Sequence, residues 1–247
     1  MTEPQAGPAV LAAAGIVKRF GTFTAVDNVD FRLNRNDAVG IVGPNGAGKT
    51  TLLNVLAGAY PPTAGSVWVD GDDVSRLDAA SRCRLGVART HQVPRPFADM
   101  TVFENVFVAA SAGGRHSGAP AYDASIAALR QCGMLGIANR TAATLGLLDR
   151  KRLELARALG TGPKILLLDE IGAGLTDSEA DELVAIIREL RGRGIAIVWI
   201  EHILHVLLQV VERLVCMDAG VVIARGVPEV ALAHPAVIEA YLGGSIT

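Results

Sequence analysis

The sequence predicts an α/β fold: a mostly parallel sheet covered by helices on both faces, with a helix-rich lobe inserted in its middle. Three observations predict it. Short continuous apolar runs, Ile165–Leu168 and Ile195–Ile200 among them, alternate with amphipathic stretches, as strands buried on both faces alternate with covering helices. A glycine-rich turn, Gly43–Gly48, joins one such run to a helical stretch. A helical middle, roughly residues 101–160, then interrupts the alternation.

In chain order, Met1–Pro8 is polar and turn-rich, with no basic-then-apolar leader pattern. Strands are expected at Val26–Leu33, Ala38–Val42 and Ser66–Val69, the last ended by Asp70-Gly71. A helix over Lys49–Ala57 stops at Gly58 and Pro61-Pro62. Val87–Thr90 reads as another strand. The helical middle breaks at Gly113-Gly114 and Gly118–Pro120, so a loop is expected around Gly113–Ala121. Beyond it lie a strand at Lys164–Asp169, a helix at Asp177–Arg191, a strand at Ile195–Glu201 and a helix at Ile203–Val211.

The 247 residues are half hydrophobic, enough for a sizeable core and too apolar for disorder over most of the length. A net charge of −2 gives no global attraction to nucleic acid or anionic lipid. Cys83, Cys132 and Cys216 are far apart and fit no metal-ligand spacing, so they read as reduced thiols. No apolar run approaches the ~20 residues of a membrane helix. The chain reads as soluble, and any membrane role has to come through a partner.

The chemistry starts at Gly43-Pro44-Asn45-Gly46-Ala47-Gly48-Lys49-Thr50, which matches G-x-x-x-x-G-K-[ST] with a strand before it and a helix after it. Glycines let the backbone curl so that successive N–H groups point inward at a helix N-terminus, making an anion cradle. Lys49 adds a charge for the outer phosphates, the Thr50 hydroxyl suits Mg²⁺, and Thr51 adds a donor. Ile165–Glu170 is an apolar strand ending in two acids. On a strand beside the cradle, Asp169 meets Mg²⁺, while Glu170 faces the γ-phosphate and acts as a general base for water. Gln92 and His202 follow two further strands, on the edge where α/β sheets bind ligands. His202 suits the γ-phosphate and Gln92 suits Mg²⁺ or the lytic water, although a lone histidine after a strand is more often a structural hydrogen-bonder.

The order of these motifs resembles the ATP-binding-cassette (ABC) ATPases: Phe20 before Gly21, the loop at 43–51, Gln92, a long helical lobe, Asp169-Glu170 and His202. The resemblance covers nearly the whole chain. It implies a P-loop NTPase fold with an added antiparallel β part, a nucleotide-binding core at about 1–92 and 161–247, and a helical lobe at about 93–160. It also implies that Phe20 stacks on adenine, although alone it reads equally as a core aromatic. Ala88–Gln92, Met100–Val106, Arg152–Leu159 and Glu239–Gly243 are similar to the branched-chain amino-acid importer branch. That similarity implies ATP-driven closure of a hetero- or homodimer of ATPase subunits beneath transmembrane permease subunits. An extracytoplasmic binding protein would feed the assembly, and this chain would sit on the inner face of the membrane.

Three departures from the family pattern stand out. The signature L-S-G-G-Q falls on Leu145-Gly146-Leu147-Leu148-Asp149, without the serine and glycines that contact the opposite subunit's ATP. Ile171 replaces the usual proline, and Thr176 the usual Asp or Asn, in the loop after Glu170. His91 stands where relatives have an aromatic, on the face implied to receive the permease. Two other readings compete. A non-transport ABC protein acting on ribosomes or DNA would carry a second cassette, a coiled coil or zinc-binding cysteines. A P-loop kinase would need lid arginines such as Arg95 and Arg115, and leaves Gln92 and His202 unexplained.

Overall fold

The structure is a computed structural model that describes residues 9–114 and 116–243. Met1–Pro8 and Arg115, which the sequence reading touched, lie outside the described residues. The chain opens with β1 (Ala9–Phe20), β2 (Phe23–Asn34) and β3 (Ala38–Val42), then α1 (Lys49–Ala57), β4 (Ala64–Val69) and β5 (Asp72–Asp73). Next come α2 (Ala79–Arg84), β6 (Val87–Arg89), α3 (Val102–Ala112), α4 (Ala119–Gln131) and α5 (Leu147–Gly160). The last third is β7 (Ile165–Asp169), α6 (Asp177–Gly192), β8 (Ala196–Ile200), α7 (Leu204–Leu207), β9 (Arg213–Asp218), β10 (Val221–Gly226), α8 (Pro228–Leu232) and α9 (Pro235–Gly243).

A six-stranded sheet has the order β10-β9-β3-β8-β7-β6, parallel throughout except for the β9–β10 hairpin. Its strands β3, β7 and β8 are buried at every position. Their side chains alternate between two cores. Ile165 and Leu167 of β7 join a core with β1, β2 and α1 residues such as Ile16, Phe31 and Leu52. Leu166 and Leu168 join the opposite core with Leu183 and Ile187 of α6 and Leu153 of α5. That two-sided burial explains why the runs are continuously apolar rather than alternating. A second, antiparallel sheet has the order β2-β1-β4-β5.

Two expectations change. The helix expected over Ile203–Val211 is only Leu204–Leu207, because Glu212 N–H already donates to the Ala38 carbonyl (3.0 Å) and draws the chain into pairing beside β3. The loop expected through Ala121 ends earlier: α4 begins at Ala119 with Pro120 in its first turn, where a missing N–H costs nothing. Among the described residues, no helix is long and apolar enough to cross a membrane.

Candidate functional site

Four strands of the parallel sheet end on one edge, and each delivers a predicted site residue there. β3 runs into the loop 43–48, and α1 starts at Lys49. Gly43 and Gly48 sit at φ +149° and +94°; a Cβ at either would lie 2.0 Å from the Met217 carbonyl oxygen or 2.4 Å from that of Ala25. Only glycine fits both positions. No side chain caps α1, so its first amides are left for an outside acceptor. Lys49, 5% exposed, folds across the loop, donating to the Gly43 and Pro44 carbonyls at 2.7 and 2.8 Å. Burial lowers its pKa, against the opposing pull of Glu170 and Asp169. An incoming anion is the natural replacement for those two carbonyl contacts. A cavity of about 260 Å³ over the loop is lined by Phe23, Ala25, Asn45–Thr51 and Glu170.

Asp169 ends β7, 1% exposed. Thr50 Oγ1 donates to its Oδ1 (3.3 Å) and Arg89 Nη2 to its Oδ2 (3.0 Å), while its own amide donates to Thr90 Oγ1 (3.3 Å). Burial raises its pKa despite the Arg89 guanidinium. Arg89 also reaches Asn54 of α1 and the Thr90 carbonyl (3.2 Å). It therefore ties β6, β7 and α1 together.

Glu170 occupies the left-handed region at φ +47°, a conformation costing roughly 1 kcal/mol or more for a residue with a Cβ. Its amide donates to the Ile200 carbonyl (2.9 Å) and its carbonyl accepts from Lys151 Nζ (3.1 Å). Its Oε1 lies 2.8 Å from His202 Nε2, and its Oε2 accepts from the Gln92 amide. The three polar residues placed at strand ends by sequence thus converge on one carboxylate.

Phe20 stands outside the lining of the cavity over the loop, exposed at the end of β1, edge-to-face with Tyr60 (centroids 5.5 Å), and Lys18 Nζ sits 5.0 Å from its ring. The exposed aromatic beside the cradle is Phe23. Residues 145–149 start α5: Leu145 is buried, Gly146 is an extended N-cap without a side-chain acceptor, and Leu147 is 45% exposed. A Cβ on Gly174 would lie 3.3 Å from Leu147 Cδ2, so this leucine lies against the loop after Glu170. In that loop Ile171 is 1% exposed in the core, and Thr176 caps α6 in a reciprocal capping box with Glu179. Thr does the same capping job as Asp or Asn, so the local fold survives the change. Leu148 is half-buried, and Asp149 lies 3.9 Å from Arg152.

His91 lines a separate cleft of about 250 Å³ with Arg89, Glu154, Arg157 and Cys83. Its amide donates to Glu154 Oε1 (3.2 Å), and burial pulls its imidazole pKa down against Glu154. Of the arginines considered for a kinase lid, Arg95 lends its carbonyl to Arg157 (2.9 Å). Sequence reasoning gave no role to Arg89, Glu201, Phe23 or Tyr60, and gave Lys151 only a share, with Arg150 and Arg152, in keeping the start of α5 basic. Arg89 and Glu201 stand beside strand-end residues that were identified, and that position is the one signal for them.

Comparison with known proteins bears on the same residues. A family model described as ABC transporter matches residues 26–173, and one described as Branched-chain amino acid ATP-binding cassette transporter matches 221–246. The chain is 38% identical to the High-affinity branched-chain amino acid transport ATP-binding protein LivG of Salmonella typhimurium, covering 95% of this chain and 98% of the relative. It is 36% identical, with the same coverage, to the similarly named BraF of Pseudomonas aeruginosa. A solved nucleotide-free ATP-binding cassette from an ABC transporter superposes with a TM-score of 0.86 at 30% identity, covering 94% of this chain and 98% of that one. A structure described as the ADP conformation of MJ1267, an ATP-binding cassette of an ABC transporter, gives 0.85 at 31%, covering 95% and 99%. Nothing in these comparisons supports a ribosome- or DNA-acting protein. By the span of the family match and the likeness to relatives over almost its full length, the chain belongs to the ABC transporter family, as an ATP-binding and ATP-hydrolysing cassette.

Proposed function

We propose that the chain powers an importer for branched-chain amino acids or related small solutes. ATP binding closes a dimer of ATPase subunits against permease subunits at the inner face of the membrane, and hydrolysis reopens it. The observation that carries the hydrolytic part is the Glu170 carboxylate, held by Gln92 and His202 on the edge of the sheet beside the phosphate loop. The importer branch rests on the relatives' identity across 95% of the chain.

In this reading the amides of 43–51 and Lys49 bind the phosphates. Glu170 orients and accepts the proton of the attacking water, His202 stabilises charge on the γ-phosphate, and Gln92 holds the carboxylate and water in line. Phe20 and its neighbour Tyr60 offer an aromatic surface for adenine. The donor set fits Mg²⁺: the Thr50 hydroxyl and Asp169 carboxylate are hard oxygens 3.3 Å apart, and Mg²⁺ is usually held by one or two carboxylates plus substrate phosphates. Thr50, Asp169 and Gln92 would hold it, and when bound it neutralises phosphate charge. We assign residues 93–160 as the lobe, with 1–92 and 161–247 as the core. The cleft beside His91 is where a permease segment would dock.

The start of α5 makes the assembly asymmetric. ATP on this chain's loop would meet an intact signature from a different partner, and the partner's ATP would meet Leu145–Asp149. A missing serine and two leucines in place of glycines remove charge-assisted contacts worth about 1.5–3 kcal/mol each. Reconstitution with the permease tests the function: labelled branched-chain amino acids should enter vesicles only with ATP. Uptake that ignores ATP, or hydrolysis unmoved by any such solute and its binding protein, would refute it.

A further inference from the structure

Two buried ionisable groups lie behind the catalytic edge without a part in the chemistry above. Lys151, on the first turns of α5, is 3% exposed, and its Nζ donates to the Glu170 carbonyl at 3.1 Å. Glu201, 1% exposed, follows β8; its Oε2 accepts from the Gly172 amide (3.0 Å) and its Oε1 from the His202 amide (3.1 Å). Burial lowers the Lys151 pKa, and the charges of Glu201 and Glu170 oppose that fall. The ammonium thus holds the carbonyl of Glu170, and the carboxylate holds both the amide two residues later and the amide of His202. Between them lies Glu170, the one non-glycine residue of the described site in left-handed backbone, and such a conformation persists only where the surroundings over-determine it.

We propose that Lys151 and Glu201 are positioning residues for hydrolysis, clamping the Glu170–Gly172 turn so that the Glu170 carboxylate faces the nucleotide, and that Lys151 makes this clamp depend on where α5 stands. The proposal rests on the reading of Glu170 as the residue that activates water. Lys151 is four residues from Leu147, one turn along a single 14-residue helix. Whatever displaces the exposed start of α5 therefore displaces Nζ as well. A movement of about 1 Å is enough to take a 3.1 Å bond out of hydrogen-bonding range. Occupancy of the 145–149 face is by this route felt at the hydrolytic carboxylate of the same chain, through one side chain.

Steady-state ATPase kinetics on the full-length chain in its assembled complex with the partner cassette and permease test this with Lys151→Met, Lys151→Arg, Glu201→Gln and Glu170→Gln, beside nucleotide affinity and amide exchange at Gly172 and His202. Lys151→Met and Glu201→Gln should lower kcat by about ten- to a hundredfold, the scale of a misplaced reacting group, with KM and nucleotide affinity unchanged and faster exchange at both amides. Lys151→Arg keeps a charged donor and should recover most of the rate. A kcat equal to the parent's in Lys151→Met, at a temperature where it is folded, overturns the proposal even if its melting point has dropped. If Glu201→Gln does not fold, the Met and Arg variants of Lys151 decide alone. Hydrolysis persisting in Glu170→Gln would instead remove the underlying reading, whereas an inactive Glu170→Gln beside a fully active Lys151→Met would sink only the clamp.

Discussion

Arg89→Met isolates the electrostatics of the sheet edge around Asp169. The Arg89 guanidinium lies 3.0 Å from Asp169 Oδ2, with side-chain exposures of 15% and 1%. Removing it leaves a buried carboxylate with Thr50, at 3.3 Å, as its remaining side-chain partner. Breaking a buried pair from one side costs about 3–5 kcal/mol, and the partial exposure of Arg89 argues for the lower figure. At about 2–4 °C per kcal/mol for a domain of this size, the melting point should fall by about 6–12 °C at neutral pH. The pH dependence carries a sign. Asp169's pKa is raised above its ordinary 3.8, chiefly by burial, and losing Arg89 raises it further. A carboxylate with a raised folded-state pKa binds more protons folded than unfolded, so stability falls as pH rises from 3.8 through the raised value. The variant's deficit should therefore shrink as pH is lowered towards 3.8 and level off above that window. Mg-nucleotide should recover more stability in the variant than in the parent, because a cation replaces the lost guanidinium. Differential scanning across pH, with and without Mg-ADP, reads all three. A neutral-pH deficit under about 2 °C, or one indifferent to pH, would refute the reasoning.

Other substitutions probe the scaffold and the dimer. Arg82, wholly buried, donates to the Val55 and Leu56 carbonyls at 2.6 and 2.9 Å and so caps the last turn of the phosphate-loop helix; Arg82→Met should cost about 3–5 kcal/mol in urea unfolding, and a loss under about 1 kcal/mol would contradict that role. A Cβ at Gly146 meets no atom within 4 Å, so Gly146→Ser fits and gives α5 its missing cap; combined with Leu147→Gly and Leu148→Gly it should raise hydrolysis in the assembled complex about tenfold, and an unchanged rate would dismiss the degenerate-signature reading. In the same complex, Glu170→Gln should remove most turnover while disabling the partner's matching glutamate removes less; equal losses would end the asymmetry.

The legible parts of the sequence were those where local chemistry has one use. Buried parallel strands are continuously apolar whatever else the protein does, so Ala38–Val42 and Ile165–Asp169 could be read directly. The loop 43–50 was equally plain, because only glycine tolerates its close approaches. β1 stayed hidden because its alanines carry no strand preference and Gly15, at φ +59°, breaks its pattern. The β9–β10 hairpin hid for a different reason: its turn places Ala219 at φ +44° beside Gly220, where Asn or Asp would have announced it. At the site, Gln92, Asp169, Glu170 and His202 could be singled out because each ends or closely follows a strand. Arg89, Lys151 and Glu201 were not, since their roles come from contacts 80, 19 and 29 residues away in sequence. No periodicity encodes such pairings.

The hydrolytic assignment of Glu170 is tested most directly by single-turnover ATP hydrolysis of Glu170→Gln, measured together with its Mg-ATP affinity. The amide keeps the hydrogen-bonding shape beside Gln92 and His202 but cannot take a proton from water. The account predicts ATP bound as tightly as in the parent and cleaved slower by about a hundredfold or more. Cleavage at the parental rate would contradict it.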